Sequence, residues 1–177
     1  MTARDTVLIA TFAALTAALG LLPPLPAPLI AVPLTLQTLG LMLAGCLLGP
    51  RRAALAMLLL LSLIALGLPL LAGGRGGLGV FIGPSAGFLI AWPLGALMIG
   101  LIARKAQQTT LMLFIANVCG GIVVVYAFGI PGIAVVSDLP ITTAAFASAA
   151  FLPGDLVKAW LASVIAVSVR RAYPVAL

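Results

Sequence analysis

Two opposite charges, Asp155 and Lys158, stand inside the last apolar stretch of the chain, in the sequence Leu-Pro-Gly-Asp-Leu-Val-Lys-Ala-Trp. A charged side chain at the centre of a membrane helix costs roughly 2.5 to 3.5 kcal/mol on insertion scales, so it persists there only with a partner or a use. The spacing of three residues puts both side chains on one helical face, where they can pair or bind a ligand together. The pair therefore indicates a polar binding site within the membrane. The alternative is a structural ion pair that only tightens the helix bundle.

The overall composition defines the class of protein that carries this pair. The chain has 177 residues, of which 64% are hydrophobic and 7% are charged, which is typical of a polytopic helical membrane protein. It contains no histidine, two cysteines and three acids, which disfavours a transition-metal site and acid–base catalysis. It also has no G-x-x-x-x-G-K-[ST] loop for ATP hydrolysis. We predict a binding or transport protein without metal or cofactor, and not an enzyme.

Six apolar segments are candidates to cross the membrane, and most approach the ~20 residues that span its hydrocarbon core. They are residues 7–22, 29–48, 53–71, 80–103, 111–130 and 151–169. We therefore predict an all-α membrane protein with six transmembrane helices, which forms a single domain over residues 1–177.

The positive charges are divided unequally between the loops. Seven Lys and Arg residues fall on one side of the predicted membrane, Arg75 falls on the other, and Lys158 lies within a span. Because cytoplasmic loops carry the excess of positive charge, both termini are predicted to be cytoplasmic. The basic clusters are short and separated, which does not indicate a nucleic-acid-binding patch. In this topology Asp155 lies about 22 Å from Arg170 along the last helix, in the outer third of the membrane, and the pair lines a pocket open to the outside.

Residues 132–150 form a semi-apolar stretch on the outer side. We predict a short capping or interfacial helix over Ile141–Ala149, because a seventh crossing would break the charge pattern. Ser137 or Asp138 is the predicted N-terminal cap, with Pro140 in the first turn.

Four further polar or aromatic residues are candidates for the pocket or for helix packing. Arg75 lies in the glycine-rich loop Ala-Gly-Gly-Arg-Gly-Gly-Leu-Gly, which is either a mobile external loop or a lid that brings a cation to an anionic group. Gln37 needs a hydrogen-bond partner from a ligand or a neighbouring helix. Tyr126 is a pocket wall or an interfacial aromatic residue, and Asn117 is expected to bond a neighbouring helix.

Small residues recur every four positions in the first span, at Ala10, Ala14 and Ala18. Such a stripe lets another helix approach closely. It serves either internal packing or the docking of a partner membrane protein.

These pieces, in this order, resemble the BioY family, the biotin-specific substrate-binding S components of energy-coupling factor (ECF) transporters. The resemblance covers most of residues 32 to 160 and rests on five segments: Val-Pro-Leu-Thr-Leu-Gln-Thr ending at Thr38, Leu-Ala-Gly-Cys-Leu-Leu-Gly-Pro-Arg-Arg ending at Arg52, Gly-Leu-Pro ending at Pro69, the glycine loop through Gly-Pro-Ser-Ala-Gly-Phe ending at Phe88, and Leu-Pro-Gly-Asp-Leu-Val-Lys ending at Lys158. The family more often reads Gly-Pro-Thr-Gly-Gly-Tyr in the fourth segment, so Phe88 lacks a phenolic hydroxyl.

The resemblance implies a compact S-component bundle in the cytoplasmic membrane that captures biotin at the outer face. It also implies a transmembrane coupling (T) protein and paired cytoplasmic ATPases as partners, with the alanine stripe docking on the coupling protein. An S component for another vitamin, such as thiamin or riboflavin, remains an alternative, although aromatic residues are only 6% of the chain. Two functions of a different class also stay open, namely a membrane enzyme that acts on lipid and a structural membrane protein.

The chemistry of biotin assigns expected roles to the candidate residues. Asp155 could accept hydrogen bonds from the ureido N–H groups, Lys158 could donate to the ureido carbonyl, and Arg75 could meet the carboxylate. Apolar walls could come from aromatic side chains. The complete expected set of binding residues is Asp155, Lys158, Arg75, Gln37, Ser85, Phe88, Tyr126 and Trp160, with Phe81 as a further wall candidate.

Overall fold

Helices make up the secondary structure of residues 1–23, 35–105 and 109–173, the parts of the chain that the computed structural model describes, apart from one isolated bridge between two loop residues. The α-helices are α1 Ala3–Leu19, α2 Gln37–Leu48, α3 Pro50–Ala65, α4 Ala86–Lys105, α5 Thr110–Asn117, α6 Val125–Val136, α7 Ile141–Ser148 and α8 Leu152–Ala172. A π-helical segment, Val118–Val124, joins α5 to α6, and a 3-10 turn, Ala149–Phe151, joins α7 to α8. Over these described ranges the eight α-helices form six rods, and the predicted six-helix, all-α class is confirmed.

Within the described residues, three rods are long and apolar enough to cross a membrane by themselves: Ala86–Lys105, Thr110–Val136 and Ile141–Ala172. Helix α2 is a shorter apolar helix of 12 residues. Residues 29–34, with which the second span was predicted to begin, lie outside the described residues. The cytoplasmic location of both termini stays a prediction.

Helix boundaries differ from the predicted spans where local chemistry starts or stops a helix. The first helix begins at Ala3 rather than at residue 7, because Thr2 and Asp5 form a capping box: the Thr2 N–H donates to Asp5 Oδ2 at 2.8 Å, and the Asp5 N–H donates to Thr2 Oγ1 at 3.3 Å. The third ends at Ala65 rather than at residue 71, because Gly67 has φ 101° and Pro69 follows.

The fourth and fifth spans also have shifted ends. The predicted start of the fourth, residue 80, lies in a 3-10 turn over Leu78–Phe81, and the α-helix begins only at Ala86. The fifth continues to Val136, past its predicted end at residue 130, with Pro131 inside α6. Prolines are tolerated within membrane helices because neighbouring groups satisfy the backbone carbonyl that a proline leaves free.

The predicted short helix after the fifth span is present as α7, but its predicted cap is wrong. Pro140 is the residue that precedes α7, and no side chain caps the helix. Ser137 and Asp138 belong to the end of α6 instead: the Ser137 N–H donates to the Ile133 carbonyl at 2.9 Å, and Asp138 takes a left-handed conformation with φ 50°. These residues complete the preceding helix, which leaves neither free to cap the next.

The core of the bundle is built around α4 and the buried face of α8. Helix α4 packs against α3, α2, α6 and the π-helical segment. Glycines permit the last of these contacts, since a Cβ atom on Gly95 would lie 2.7 Å from the Gly120 carbonyl oxygen. Helix α8 packs against α2 and α5, and the face that it buries carries small and polar side chains: Asp155, Lys158, Ala159, Ala162, Ser163, Ala166 and Arg170.

A buried amide joins α5 to α8 below the charged pair. The Asn117 amide group donates to the Ala159 carbonyl at 3.2 Å and to Ser163 Oγ at 3.0 Å, and it accepts from Cys46 Sγ at 3.3 Å. The helix-packing role predicted for Asn117 is confirmed. These bonds hold α8 in the rotation that turns Asp155 and Lys158 toward α2.

Candidate functional site

The charged pair lies in the first two turns of α8, as its spacing predicted. Lys158 Nζ is 2.6 Å from Asp155 Oδ1, and the two residues are only 6% and 5% exposed. A buried pair keeps both charges only when hydrogen bonds satisfy its remaining donors and acceptors. The surrounding helices provide these bonds.

Helix α2 and the stretch before it supply the partners of the lysine. Lys158 Nζ donates to the Thr35 carbonyl at 2.8 Å and to Thr38 Oγ1 at 2.9 Å. The Thr38 hydroxyl in turn donates to Asp155 Oδ1 at 3.3 Å. Together with Asp155, these acceptors use all three donors of the ammonium group. Lys158 therefore links α8 to the start of α2 through hydrogen bonds.

Helix α6 supplies a third partner of the Asp155 carboxylate, after Lys158 and Thr38. The Tyr126 hydroxyl donates to Asp155 Oδ2 at 2.6 Å, and Tyr126 is buried. A carboxylate oxygen offers two lone pairs, so Oδ2 can accept one further hydrogen bond. This oxygen is the part of the pair that is best able to take a ligand donor without breaking an existing bond.

A pocket opens beside the pair and encloses about 580 Å³ when the space at its open mouth is counted. Its walls are mainly apolar, with the polar groups concentrated at a few positions. The lining residues are Thr35, Gln37, Thr38, Leu71, Arg75, Ser85, Phe88, Leu89, Trp92, Val125, Tyr126, Phe151, Asp155 and Lys158.

Arg75 and Ser85 add a second polar wall. The Arg75 Nε–H donates to the Ala72 carbonyl at 3.2 Å, and Nη1 lies 3.5 Å from Ser85 Oγ. Burial lowers the pKa of the Arg75 guanidinium from its ordinary value, but an arginine remains charged at neutral pH. The glycine-rich loop thus places a cation against the same pocket as the Asp155–Lys158 pair.

Aromatic rings form much of the apolar wall. The Phe88 ring meets Tyr126 edge to face, with centroids 5.8 Å apart, and it meets Phe151 in the same way at 6.1 Å. Trp92, on α4, completes this side of the pocket. Phe88 therefore lies in the apolar wall of this pocket, and its contact with a ligand stays a prediction.

Trp160 does not line this pocket, which corrects the prediction for that residue. It is 51% exposed, and its ring contacts Phe114 at a centroid distance of 5.9 Å. Two residues along an α-helix turn the side chain by about 200°, so Trp160 points away from Lys158. Phe81 also lies outside the lining and packs on the edge of the core.

Gln37 reaches the pocket wall, but its amide group is bonded to the protein. Its Nε2 donates to the carbonyls of Thr16, at 3.3 Å, and Leu70, at 3.0 Å, and its Oε1 accepts from the Ala72 N–H at 3.1 Å. The sequence left a ligand and a neighbouring helix open as partners of this amide, and the hydrogen bonds favour protein segments over a ligand.

Thr38 is the main polar residue of the site that the sequence prediction missed. It bridges Asp155 and Lys158, which are 117 and 120 positions away in the chain. The available signal was weak: two threonines, Thr35 and Thr38, stand three residues apart at the start of an apolar span. Trp92 and Phe151 were missed because an aromatic residue in an apolar helix gives no sign of which neighbour it faces.

The alanine stripe of α1 lies away from this pocket, in an apolar groove between α1 and α3. Ala10, Ala14 and Ala18 are exposed and line the groove. Its other lining residues are Ala13, Ala17, Leu21, Leu59, Leu60, Leu63, Leu68 and Leu70. The groove offers a flat, apolar surface of the kind that a membrane helix packs against.

Comparison with known proteins gives consistent matches over nearly the whole chain. A family model described as the BioY family matches residues 1–175. The biotin transporter BioY of Rhizobium etli is 48% identical over 181 residues, which cover 98% of this chain and 97% of that protein. The probable biotin transporter BioY of Bacillus subtilis is also 48% identical, over 95% of this chain and 91% of that protein.

A solved structure has the same fold. It is the crystal structure at 2.1 Å of the S-component for biotin from an ECF-type ABC transporter, with a TM-score of 0.91 and 34% sequence identity. The match covers 97% of this chain and 95% of that one.

Proposed function

The chain belongs to the BioY family, and from this premise we propose that it is a multi-pass protein of the cell membrane that captures biotin as the substrate-binding subunit of an ECF-type transporter. The observation that carries the proposal is the Asp155–Lys158 pair, which is almost closed to solvent yet forms part of the wall of an open, mainly apolar pocket. The relatives named as biotin transporters and the solved S-component for biotin support the choice of ligand.

The polar groups of the pocket suit the two ends of biotin. Asp155 Oδ2 has capacity for a hydrogen bond from a ureido N–H, beside the bond that it already accepts from Tyr126. Arg75 is the cation available for the carboxylate, with Ser85 as a neighbouring hydroxyl. The rings of Phe88 and Trp92 supply apolar contact for the thioether ring and the aliphatic chain between these ends.

Lys158 can donate to the ureido carbonyl only by exchanging a bond. All three of its donors are used within the protein, by Asp155, the Thr35 carbonyl and the Thr38 hydroxyl. A hydrogen bond from Lys158 to biotin would therefore replace one of these three contacts, two of which are with the start of α2. Exchange of either of those two would couple ligand capture to the position of that segment.

The distribution of charge supports capture from the outer side. Seven cationic residues lie at the opposite end of the predicted helices from Arg75, and cytoplasmic loops carry such an excess. Arg75, which lines the pocket, then lies toward the outer side.

Titration of the detergent-purified protein tests the proposed ligand. We expect isothermal titration calorimetry to show saturable binding of biotin and no binding of thiamin or riboflavin. An S component for another vitamin would bind one of these instead. A protein that unfolds cooperatively on heating but binds none of the three would leave the charged pair with an architectural role and would contradict the proposal.

The exposed groove along α1 is the proposed docking surface for the coupling protein. Ala10, Ala14 and Ala18 support this choice, because they are exposed and line an apolar groove. Small side chains let a helix of the partner approach the backbone of α1 closely. The paired ATPases would then act through that coupling protein, since this chain has no phosphate-binding loop of its own.

A bulky residue in the groove should block docking. We expect Ala14→Phe to reduce co-purification with the coupling protein by about tenfold, or about 1.4 kcal/mol, while biotin binding by the isolated subunit stays unchanged. Leu15→Phe is the matched control, because Leu15 is exposed on α1 but does not line the groove. Equal co-purification of both variants with the wild type would contradict the proposed surface.

A further inference from the structure

Gln37 connects three segments of the chain at the edge of the pocket. Its amide group donates to Thr16 in α1 and to Leu70 in the loop after α3, and it accepts from Ala72 in the same loop. Gln37 is 1% exposed. An amide that is buried and bonded at both its nitrogen and its oxygen fixes the groups around it, because breaking any of these bonds leaves a buried polar atom unpaired.

The surrounding backbone is fitted to this side chain. A Cβ atom on Gly20, just after α1, would lie 2.7 Å from Gln37 Nε2 and 2.7 Å from the Leu70 carbonyl oxygen. Only a glycine leaves room for the amide group between the end of α1 and the loop. The contact is therefore a formed part of the fold rather than a chance encounter of polar atoms.

The loop segment that Gln37 holds also fixes Arg75. Leu71 lies between the two residues bonded by Gln37, and it pairs with Arg75 through two backbone hydrogen bonds, of 3.0 and 3.2 Å. Gly73 and Gly74 close the turn between them with φ values of 77° and 69°, which favour glycine. The Arg75 side chain returns to the same turn through its bond to the Ala72 carbonyl.

An unbroken series of contacts thus runs from Gln37 to the Arg75 guanidinium. We infer that Gln37 is a positioning residue, which holds the turn around Leu71 so that Arg75 faces the carboxylate end of the ligand. The inference rests on the proposed function, because it requires biotin in the pocket with its carboxylate at Arg75. Gln37 makes no ligand contact in this arrangement and sets specificity through Arg75.

Discrimination between biotin and biotinamide isolates this role. The two compounds share the ureido ring and the chain, but the amide lacks the negative charge that Arg75 would meet. We expect the wild type to prefer biotin by about tenfold or more. Arg75→Gln and Gln37→Met should each remove most of this preference and leave the affinity for biotinamide within about twofold of wild type. In the double variant we expect no further loss, since both changes break the same series of contacts.

Two further variants separate positioning from general destabilisation. Gln37→Glu keeps an acceptor for the Ala72 N–H and removes the amide donors. It therefore allows the same comparison of biotin with biotinamide if Gln37→Met does not fold. Asn117→Leu is the matched control: it removes another fully buried amide, whose bonds join α5 to α8. We expect it to lower the melting temperature and to keep the preference for biotin.

Three outcomes would overturn the inference. Equal weakening of both ligands in the Gln37 variants would reduce Gln37 to a stabilising residue. Equal affinity of the wild type for both ligands would show that Arg75 does not contact the carboxylate, while the binding of biotin itself would be confirmed. A wild type that binds neither ligand would instead overturn the proposed function, and the inference with it.

Discussion

Replacing Asp155 with asparagine is expected to weaken biotin binding by at least about tenfold, equivalent to about 1.4 kcal/mol. The amide keeps the shape of the side chain but removes its negative charge. The charged carboxylate pairs with Lys158 Nζ at 2.6 Å, and it accepts a hydrogen bond from the Tyr126 hydroxyl at 2.6 Å. A charged acceptor in a nearly dry pocket makes stronger hydrogen bonds than a neutral one. Calorimetric titration of the purified variant with biotin measures the loss directly.

Asp138→Asn is the control for this change. It makes the same chemical substitution at an exposed residue outside the pocket, so its affinity for biotin should equal that of the wild type. If a folded Asp155→Asn protein bound biotin with wild-type affinity, Asp155 would not be a binding residue. The Asp155–Lys158 pair would then have only an architectural role.

Replacing Lys158 with methionine is expected to have the largest effect on stability. The change leaves the Asp155 carboxylate buried without its cation, and it also removes the bonds to Thr35 and Thr38 that hold α8 against the start of α2. Breaking a buried ion pair by removing one partner costs about 3–5 kcal/mol. Thermal unfolding in detergent should show a large fall in melting temperature without ligand, and biotin binding should weaken as well.

A double variant separates the contribution to folding from the contribution to binding. In Asp155→Asn combined with Lys158→Met, the unpaired charge is gone, so we expect most of the lost stability to return. Biotin binding should remain weak, because the charged acceptor is absent. If the double variant bound biotin like the wild type, the pair would be architectural and the two single variants would have lost binding only through damage to the fold.

The class of fold and the central pair could be predicted because both depend on local sequence. Six apolar segments define the rods, and a spacing of three residues brings Asp155 and Lys158 together on any α-helix. The position of Trp160 could have been predicted by the same rule, since two residues from Lys158 is more than half a turn away. That error came from treating neighbours in sequence as neighbours in the pocket.

The rest of the site depends on contacts between distant segments. The bonds of Thr38 to α8 and of Gln37 to α1 and the loop follow from how the helices pack, which no short pattern encodes. The polar character of Gln37 predicted a partner, but its sequence could not distinguish a ligand from the carbonyls of Thr16 and Leu70. The helix ends that moved did so at glycine, proline and capping residues, whose effects are local but compete with the apolar pattern around them.

The π-helical segment between α5 and α6 changes which face of the rod Thr110–Val136 each later side chain lies on. Asn117 and Tyr126 stand nine residues apart, on either side of Val118–Val124, and an uninterrupted α-helix makes about two and a half turns over nine residues, which would send the two side chains in opposite directions. The wider turns rotate the chain less per residue, so one side chain bonds Ser163 and the other bonds Asp155, both on α8. Apolar periodicity read across this segment with a single period would assign Tyr126 to the lipid. The wide turns therefore allow the rod Thr110–Val136 to contact α8 at two depths in the membrane. Asn117 makes the packing contact, and Tyr126 makes the contact at the pocket.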